Sequence, residues 1–360
     1  MDNRLSELIE KLFNTHSLEI DEYEYLITHR TKRSAQMLCE KAGLLREAAY
    51  GKTVFIRGLI EVSSYCKNDC LYCGLRRSNH SCERYRLTRE DILECCESGY
   101  ALGFRTFVLQ GGEDPKFTDD FICDTVREIK NRYPDCAVTL SLGEKDYASY
   151  KRFFAAGAAR YLLRHETANA EHYAKLHPED MTLKNRMECL YDLKEIGFQV
   201  GCGFMVGSPY QTDKMLAQDL KFIEEFKPDM CGIGPFVPHS ATPFRDIPHG
   251  SAELPCYLLS IIRIIHPDIL LPSTTALGTI LDGGREMGIL SGANVVMPNL
   301  SPKAVRKKYL LYNNKLSDGD EAAESLENLK KRIATMGYEI VTARGDRKDF
   351  YSGNLQSQIT

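Results

Sequence analysis

From residue 54 onward the sequence alternates short, almost unbroken apolar runs with longer stretches of helical period. The apolar runs fall at 54–64, 106–110, 137–142, 160–164, 199–206, 230–237, 269–275 and 293–297. The helical stretches fall at 87–101, 119–132, 146–156, 183–195, 213–226, 255–265, 284–290 and 321–336. Such alternation demands a parallel sheet, because each strand must be re-entered from the same end. Strands apolar on both faces are strands buried on both faces. Eight strand–helix units in roughly 250 residues predict an α/β fold, a complete (β/α)8 TIM-type barrel; an open, doubly wound sheet is the alternative. Local signals agree. Thr88 precedes a helix as an N-cap with Asp91 in the capping-box position, and Gly103, Gly157 and Gly197 stand where helices end. Residues 1–50 have helical spacing, with Leu5, Leu8, Ile9 and Leu12 on one face, and predict an N-terminal helical cap. Residues 51–312 form the barrel. Residues 313–360 supply a C-terminal helix that completes it and a polar tail, frayed over 352–360.

Composition narrows the function. A net charge of −4 on 360 residues argues against a binder of nucleic-acid backbone. The greasiest run, 257–271, is interrupted by Arg263, His266, Pro267 and Asp268 and predicts no membrane span. No secretory signal is visible, and thirteen cysteines, an odd number in a long chain, fit reduced thiols in the cytoplasm better than a disulfide scaffold.

In barrels of this kind chemistry gathers at the C-terminal ends of the strands. The first strand is followed by Cys66, Cys70 and Cys73, three thiols within eight residues. Thiolates hold iron–sulfur clusters, four to a cubane, so three would leave one iron open for a ligand. A zinc site completed by His80 or Cys82 is the competing reading. The other strand ends carry Gln110-Gly111-Gly112-Glu113, Thr139 and Ser141, Arg164-His165-Glu166, Gly234-Pro235-Phe236, Ser273-Thr274-Thr275 and Met297-Pro298-Asn299. Arg160 and Arg164 alternate to one face of the fourth strand and need anionic partners, either an anionic substrate or Glu166 or Glu144. Thr139, Thr274, Thr275 and Met297 are expected in a pocket wall, where hydroxyls orient a polar ligand and a thioether suits an organometallic one, unless they are ordinary barrel filling.

The cysteine spacing, with Tyr72 before the last cysteine, resembles the signature of the radical S-adenosylmethionine (SAM) enzymes. Gly111-Gly112-Glu113 resembles their methionine-amine binding stretch. Three longer phrases, at 160–169, 232–239 and 292–299, resemble the FeFe-hydrogenase maturase HydE family, beside biotin synthase and methylornithine synthase. This resemblance implies one 4Fe–4S cluster on Cys66, Cys70 and Cys73, with SAM chelating the fourth iron and cleaved reductively to methionine and a 5′-deoxyadenosyl radical. It implies cofactor contacts from Tyr72, Gln110, Gly112, Glu113, Ser141, Glu166 and Arg186. It also implies a small iron complex as substrate, destined for the diiron cofactor, an electron donor such as ferredoxin or flavodoxin, and other hydrogenase maturases as partners. A radical SAM mutase or sulfur-inserting enzyme, and a non-catalytic Fe–S or zinc binding protein, are the alternatives. Some members of the family carry a further cysteine trio near the C terminus; this chain has no cysteine after Cys256, so no second cluster is expected.

Overall fold

A computed structural model describes residues 3–316 and 322–348, without the side chains of 322–325. The chain opens with three helices, α1 (Asn3–Thr15), α2 (Ile20–Thr28) and α3 (Lys32–Tyr50). Strands β1 (Thr53–Ile56) and β2 (Gly58–Ser63) follow as two halves of the first apolar run. Then come α4 (Arg89–Ala101), β3 (Thr106–Gly111), α5 (Asp119–Arg132), β4 (Ala137–Ser141), α6 (Tyr147–Ala155) and β5 (Ala158–Leu162). Next are α7 (Ala170–Leu176), α8 (Leu183–Ile196), β6 (Gln199–Cys202), β7 (Met205–Val206), α9 (Asp213–Phe226), β8 (Met230–Cys231) and β9 (Gly234–Pro235). The chain continues through α10 (Glu253–Ile265), α11 (Thr275–Ile280), α12 (Gly284–Leu290), β10 (Val295–Val296), α13 (Lys303–Arg306), α14 (Ala322–Thr335) and β11 (Glu339–Val341).

The architecture is α/β around a parallel central sheet. Six strands pair in the order β2-β3-β4-β5-β6-β8, and a second ladder runs β10-β1-β11, all parallel. Single parallel bridges join Met230 to Leu270, Pro272 to Val295, and Leu59 to Asn299. The expected seventh strand at 269–275 exists only as the bridges at Leu270 and Pro272. Pro272 has no amide hydrogen to donate to a ladder, and Thr275 instead begins α11. Helices start where their caps require. The hydroxyls of Thr88, Thr118, Thr182 and Thr212 each accept from the amide three residues on, contacts worth about 1 kcal/mol apiece. The N-terminal helices lie along the outside: Tyr23 donates to Glu224 of α9 at 2.7 Å, and Tyr257 of α10 donates to the Leu26 carbonyl at 2.9 Å. Among the described residues no helix is long and apolar enough to cross a membrane.

The segment after α14 departs from expectation. Instead of trailing away, it adds β11 beside β1, and residues 344–347 enter the end of the sheet opposite the cysteine loop. There Arg160, fully buried, meets the carboxylate of Asp346 and donates to Thr106 Oγ1 at 2.9 Å and to the Arg344 carbonyl at 2.9 Å. Gln199 donates to Asp346 at 2.8 Å, Arg57 donates to the Gly345 carbonyl at 3.3 Å, and Arg347 forks onto Asp268 at 2.7 and 3.1 Å. Burial pushes the Asp346 carboxyl up, but Arg160, Gln199 and Arg344 together hold it below its usual range. Residues 352–360 lie outside the described residues.

Breaking one half of a buried pair strands the other charge, at a cost of about 3 kcal/mol. Asp346→Ala is therefore expected to lower the unfolding free energy measured by urea titration by about that amount, and the double substitution Arg160→Met with Asp346→Leu to recover most of it. Equal losses in the two variants would place the cost in backbone disruption rather than in the stranded charge.

Candidate active site

The cysteine loop leaves β2 at Ser63 and is pinned along its length. The Arg84 guanidinium donates to the carbonyls of Ser64, Leu75, Arg76 and Asn79. Asp69 takes Arg76 in a two-pronged contact at 2.8 and 2.7 Å, and Arg76 holds its carboxyl well below the usual carboxylate range. The Lys67 amide donates to the Glu113 carbonyl at 2.9 Å, the Leu71 amide to Leu176 at 2.9 Å and the Gly74 amide to Leu311 at 2.8 Å. The loop is thus tied to three separate parts of the chain.

Cys66, Cys70 and Cys73 all face one cavity of about 300 Å³ at the C-terminal ends of the strands. Burial pushes all three thiols up, Cys73 to about 12. Among the described residues no three Cys, His, Asp or Glu side chains are gathered as a ready-made metal site. The fit to a cluster lies in the donor set, three thiols on one wall of one cavity, which is the ligand chemistry of iron–sulfur centres.

The cavity collects the other expected cofactor contacts. Tyr72, Gln110, Gly112, Glu113, Ser141, Glu166 and Arg186 all line it. Gly112 is required by packing, since a Cβ there would overlap the Tyr65 carbonyl oxygen and the Cys66 side chain. Glu113 is largely buried. It accepts from the Glu144 amide at 3.0 Å, pairs with Lys67 at 3.2 Å, and fills the space that a side chain on Gly143 (φ +76°) would need. Arg186 is buried rather than solvated: it donates to Glu144 at 2.5 Å and to the Arg164 carbonyl at 2.5 Å. Gln110 donates to Tyr309 at 3.4 Å, and the Tyr72 hydroxyl lies 3.3 Å from His177 Nε2.

Glu166 is the most constrained of these residues. Its backbone is left-handed (φ +65°), a conformation that costs a side-chain-bearing residue roughly 1–2 kcal/mol. Its amide donates to Gly203 at 3.0 Å, and its carbonyl accepts from Met205 at 3.3 Å. Arg164 comes within 3.2 Å of Glu166 Oε2, yet that oxygen and the Arg164 guanidinium nitrogen facing it are buried without a hydrogen bond. Both belong to residues that line the cavity. Sequence reasoning missed what holds this turn. Asp219, fully buried, accepts from the Ala168 amide at 2.5 Å and contacts His165 Nε2 at 3.2 Å, bracketing Glu166 on both sides. Burial pushes His165 down to about 3 and the Asp219 carboxyl well up. The signal was present: Asp219 sits among Leu216, Leu220 and Ile223, on the apolar face of α9, where an acid needs a partner. Tyr309, Tyr312 and Met181 also line the cavity and carried no comparable signal.

The expected substrate residues divide. Arg164 and Thr274 line the large cavity, and Thr274 Oγ1 is buried without a partner. Thr139 and Met297 do not reach it. They line a separate cavity of about 20 Å³ deeper in the sheet, with Arg57 and Met230, and Leu162 lies between the two spaces. Arg160 lies deeper still, committed to Asp346, so it is a structural cation and not a pocket residue. Thr275 opens α11 and lines neither cavity; its carbonyl accepts from Thr279 at 3.0 Å.

Residues 60–223 match the Radical SAM superfamily. The chain is 44% identical over 313 residues to the [FeFe] hydrogenase maturase subunit HydE of Thermotoga maritima, across 87% of this chain and 89% of that one. It is 27% identical over 332 residues to the 3-methylornithine synthase of Methanosarcina acetivorans, across 92% of each. The crystal structure of methylornithine synthase (PylB) superposes with a TM-score of 0.81 at 25% identity, covering 93% of this chain and 97% of that chain. Cluster and SAM chemistry come with the superfamily, and so does enzymatic function. On these grounds the chain belongs to the radical SAM enzymes and, among them, to the HydE family of hydrogenase maturases.

Proposed function

We propose that this enzyme acts in the maturation of the diiron cofactor of [FeFe]-hydrogenase, working in the cytoplasm on a small iron complex. The observation that carries the reading is the convergence on one cavity of three thiols with the seven residues expected to contact SAM. Identity of 44% to a hydrogenase maturase supports the substrate class. In this reading the two ladders and the bridges at Leu270, Pro272 and Asn299 make one closed (β/α)8 ring. Residues 1–50 flank it, residues 51–312 build it, and the remainder completes it.

Cys66, Cys70 and Cys73 would hold one 4Fe–4S cluster, and with no cysteine after Cys256 we propose no second one. When bound, cluster and SAM together supply one-electron cleavage of the sulfonium to methionine and a 5′-deoxyadenosyl radical. The chain's own residues place and shield that chemistry. Glu166, one oxygen of which is ion-paired to Arg164 but lacks a hydrogen bond, would accept hydrogen bonds from the ribose hydroxyls or the amine. Arg186, fixed by Glu144, holds the Arg164 carbonyl and so the turn that carries Glu166. Gly112 seats the end of β3 against the cysteine loop. Leu162, Met205, Phe236 and Tyr309 exclude water from the cavity. Arg164 and Thr274 face the substrate, an anionic or polar molecule. A second reading, a mutase acting on an amino acid, is favoured by the likeness to 3-methylornithine synthase.

Anaerobic incubation of the reconstituted protein with SAM and dithionite is expected to yield 5′-deoxyadenosine and methionine, and addition to a maturation assay is expected to raise hydrogenase activity. Cleavage without any gain in maturation, but with turnover of an amino acid, would select the mutase. Cys70→Ala is expected to abolish cleavage while leaving the circular dichroism spectrum unchanged; retained cleavage would refute the ligand assignment. Glu166→Gly and Glu166→Ala are both expected to weaken SAM binding at least about tenfold, the cost of a lost charge-assisted contact. The glycine variant should be the more stable of the two by about 1 kcal/mol, because glycine alone adopts this backbone without strain. Equal melting temperatures would remove strain from the account of this turn. Iron and sulfide in clear excess of one 4Fe–4S equivalent would overturn the single-cluster assignment.

A further inference from the structure

Tyr72 reaches the cavity wall from the middle of the cysteine loop, and its hydroxyl is tied from outside that loop. It lies 3.3 Å from Nε2 of His177, which is 105 residues further along and only 3% exposed. The other ring nitrogen, Nδ1, lies 3.0 Å from the Tyr173 carbonyl oxygen. A carbonyl can only accept, so Nδ1 carries the hydrogen. Burial pushes the ring down to about 3, so it is neutral. Nε2 then offers a lone pair and no hydrogen, and the Tyr72 hydroxyl donates to it. Nothing in the cysteine spacing announced this partner.

His177 is itself held in place. It closes α7, where its amide donates to the Tyr173 carbonyl at 3.1 Å. Its ring stacks on Tyr173 with centroids 3.8 Å apart and planes 17° from parallel, and it stands edge-on to Tyr72 at 5.5 Å and 86°. The Arg186 guanidinium lies over the Tyr173 ring, 6.0 Å from its centroid. Arg186, Tyr173, His177 and Tyr72 thus form one column, and its two ends are residues expected to contact SAM. The neighbours of Tyr72 are gripped by the same segment: the Leu71 amide donates to the Leu176 carbonyl at 2.9 Å, and Cys70 Sγ lies 3.8 Å from Met181 Sδ. Leu71 and Tyr72 also pack on the apolar cluster of Leu176, Met205, Phe236 and Phe244. We infer that His177 is a positioning residue for the cofactor: through the Tyr72 hydroxyl it sets the plane that the Tyr72 ring presents to bound SAM. With that hydroxyl engaged, Tyr72 offers the cavity ring carbons rather than a polar atom, a flat surface matched to a flat base. A tyrosine without this anchor would have to be ordered by the ligand, and that ordering would appear as lost affinity. The inference rests on the SAM contacts proposed above.

The test uses the cluster-loaded protein, anaerobic and without a reductant, so that SAM binds and is not cleaved. Affinity is read by titration calorimetry and stability by urea titration. His177→Phe keeps an aromatic ring beside Tyr173 and removes the acceptor. His177→Gln gives up the stacked ring but returns a carbonyl oxygen near the place of Nε2. Tyr72→Phe removes the donor. His177→Phe and Tyr72→Phe are each expected to weaken SAM binding about fivefold, the worth of one hydrogen bond, and the double variant to lose no more than either alone. His177→Gln is expected to bind SAM within about twofold of the wild type while being less stable than His177→Phe. Affinity regained in the less stable protein separates positioning from support of the fold. Losses that multiply in the double variant would overturn the inference, as would wild-type affinity in His177→Phe or an affinity in His177→Gln no better than in His177→Phe. Any of these, with normal binding by the wild type, strikes this inference alone. A loaded wild type that binds no SAM would overturn the proposed SAM contacts as well.

Discussion

The site depends above all on the register of the parallel strands. In a parallel sheet every strand delivers its C-terminal end to the same edge, and here the pairings set Glu61 beside Gln110, Ser63 beside Gly111 and Gln110 beside Ser141. The loops leaving β2, β3 and β4 consequently start side by side, each one strand spacing, about 4.8 Å, from the next. That proximity lets the Lys67 amide reach the Glu113 carbonyl, and lets Glu113 reach the Glu144 amide. Cysteine loop, glycine turn and the turn after β4 are thereby fastened in series. A one-residue slip would turn every side chain to the opposite face and separate these loops.

Register also explains why two arginines of one strand do different work. Arg160 in β5 and Arg164 just past its end share the inward face, as their spacing requires, but four residues of extended chain span about 13 Å. That length carries Arg164 to the cysteine end and leaves Arg160 at the opposite end, among Thr106, Gln199 and Asp346. Between them Leu162 separates the large cavity from the small one. The interior is layered: ion pairs that close one end, a narrow apolar and thioether layer, then the polar chamber. Alternation along a strand reveals which face a residue takes and is silent on its depth.

What the amino acids disclosed follows the same division. The strand–helix alternation, the cap at Thr88 and the cysteine loop are all local, and each was legible from residues close in sequence. Glu113 and Glu166 were placed at the cavity from motifs that resemble a family, because those motifs sit at strand ends whose position the alternation predicts, and Arg186 from the start of the helix that follows. The misses are non-local or lack a period. β11 is three residues long and partly exposed, too short for alternation to register, and its pairing with β1 spans almost the whole chain. Residues 344–347 read as a polar tail because their partners, Arg160, Gln199 and Asp268, are brought together only by the finished fold. Arg160 was misplaced for the same reason, its true partner lying 186 residues away.

Glu166 shows what the scaffold is for. A buried carboxylate oxygen and guanidinium nitrogen paired by charge at 3.2 Å but without a hydrogen bond, on a left-handed backbone, form an arrangement that isolated chain would abandon. It persists because each neighbour is fixed independently. Gly203 and Met205 take up the backbone groups of Glu166, Asp219 holds the Ala168 amide and the His165 ring, and Glu144 holds Arg186 against the Arg164 carbonyl. The stabilising contacts thus sit in the surrounding helices and loops, while the groups that face the cavity are left with bonding capacity to spare. A ligand entering the cavity meets a carboxylate and a guanidinium 3.2 Å apart that lack a hydrogen bond, and the protein meets the cost of orienting them when it folds rather than when it binds.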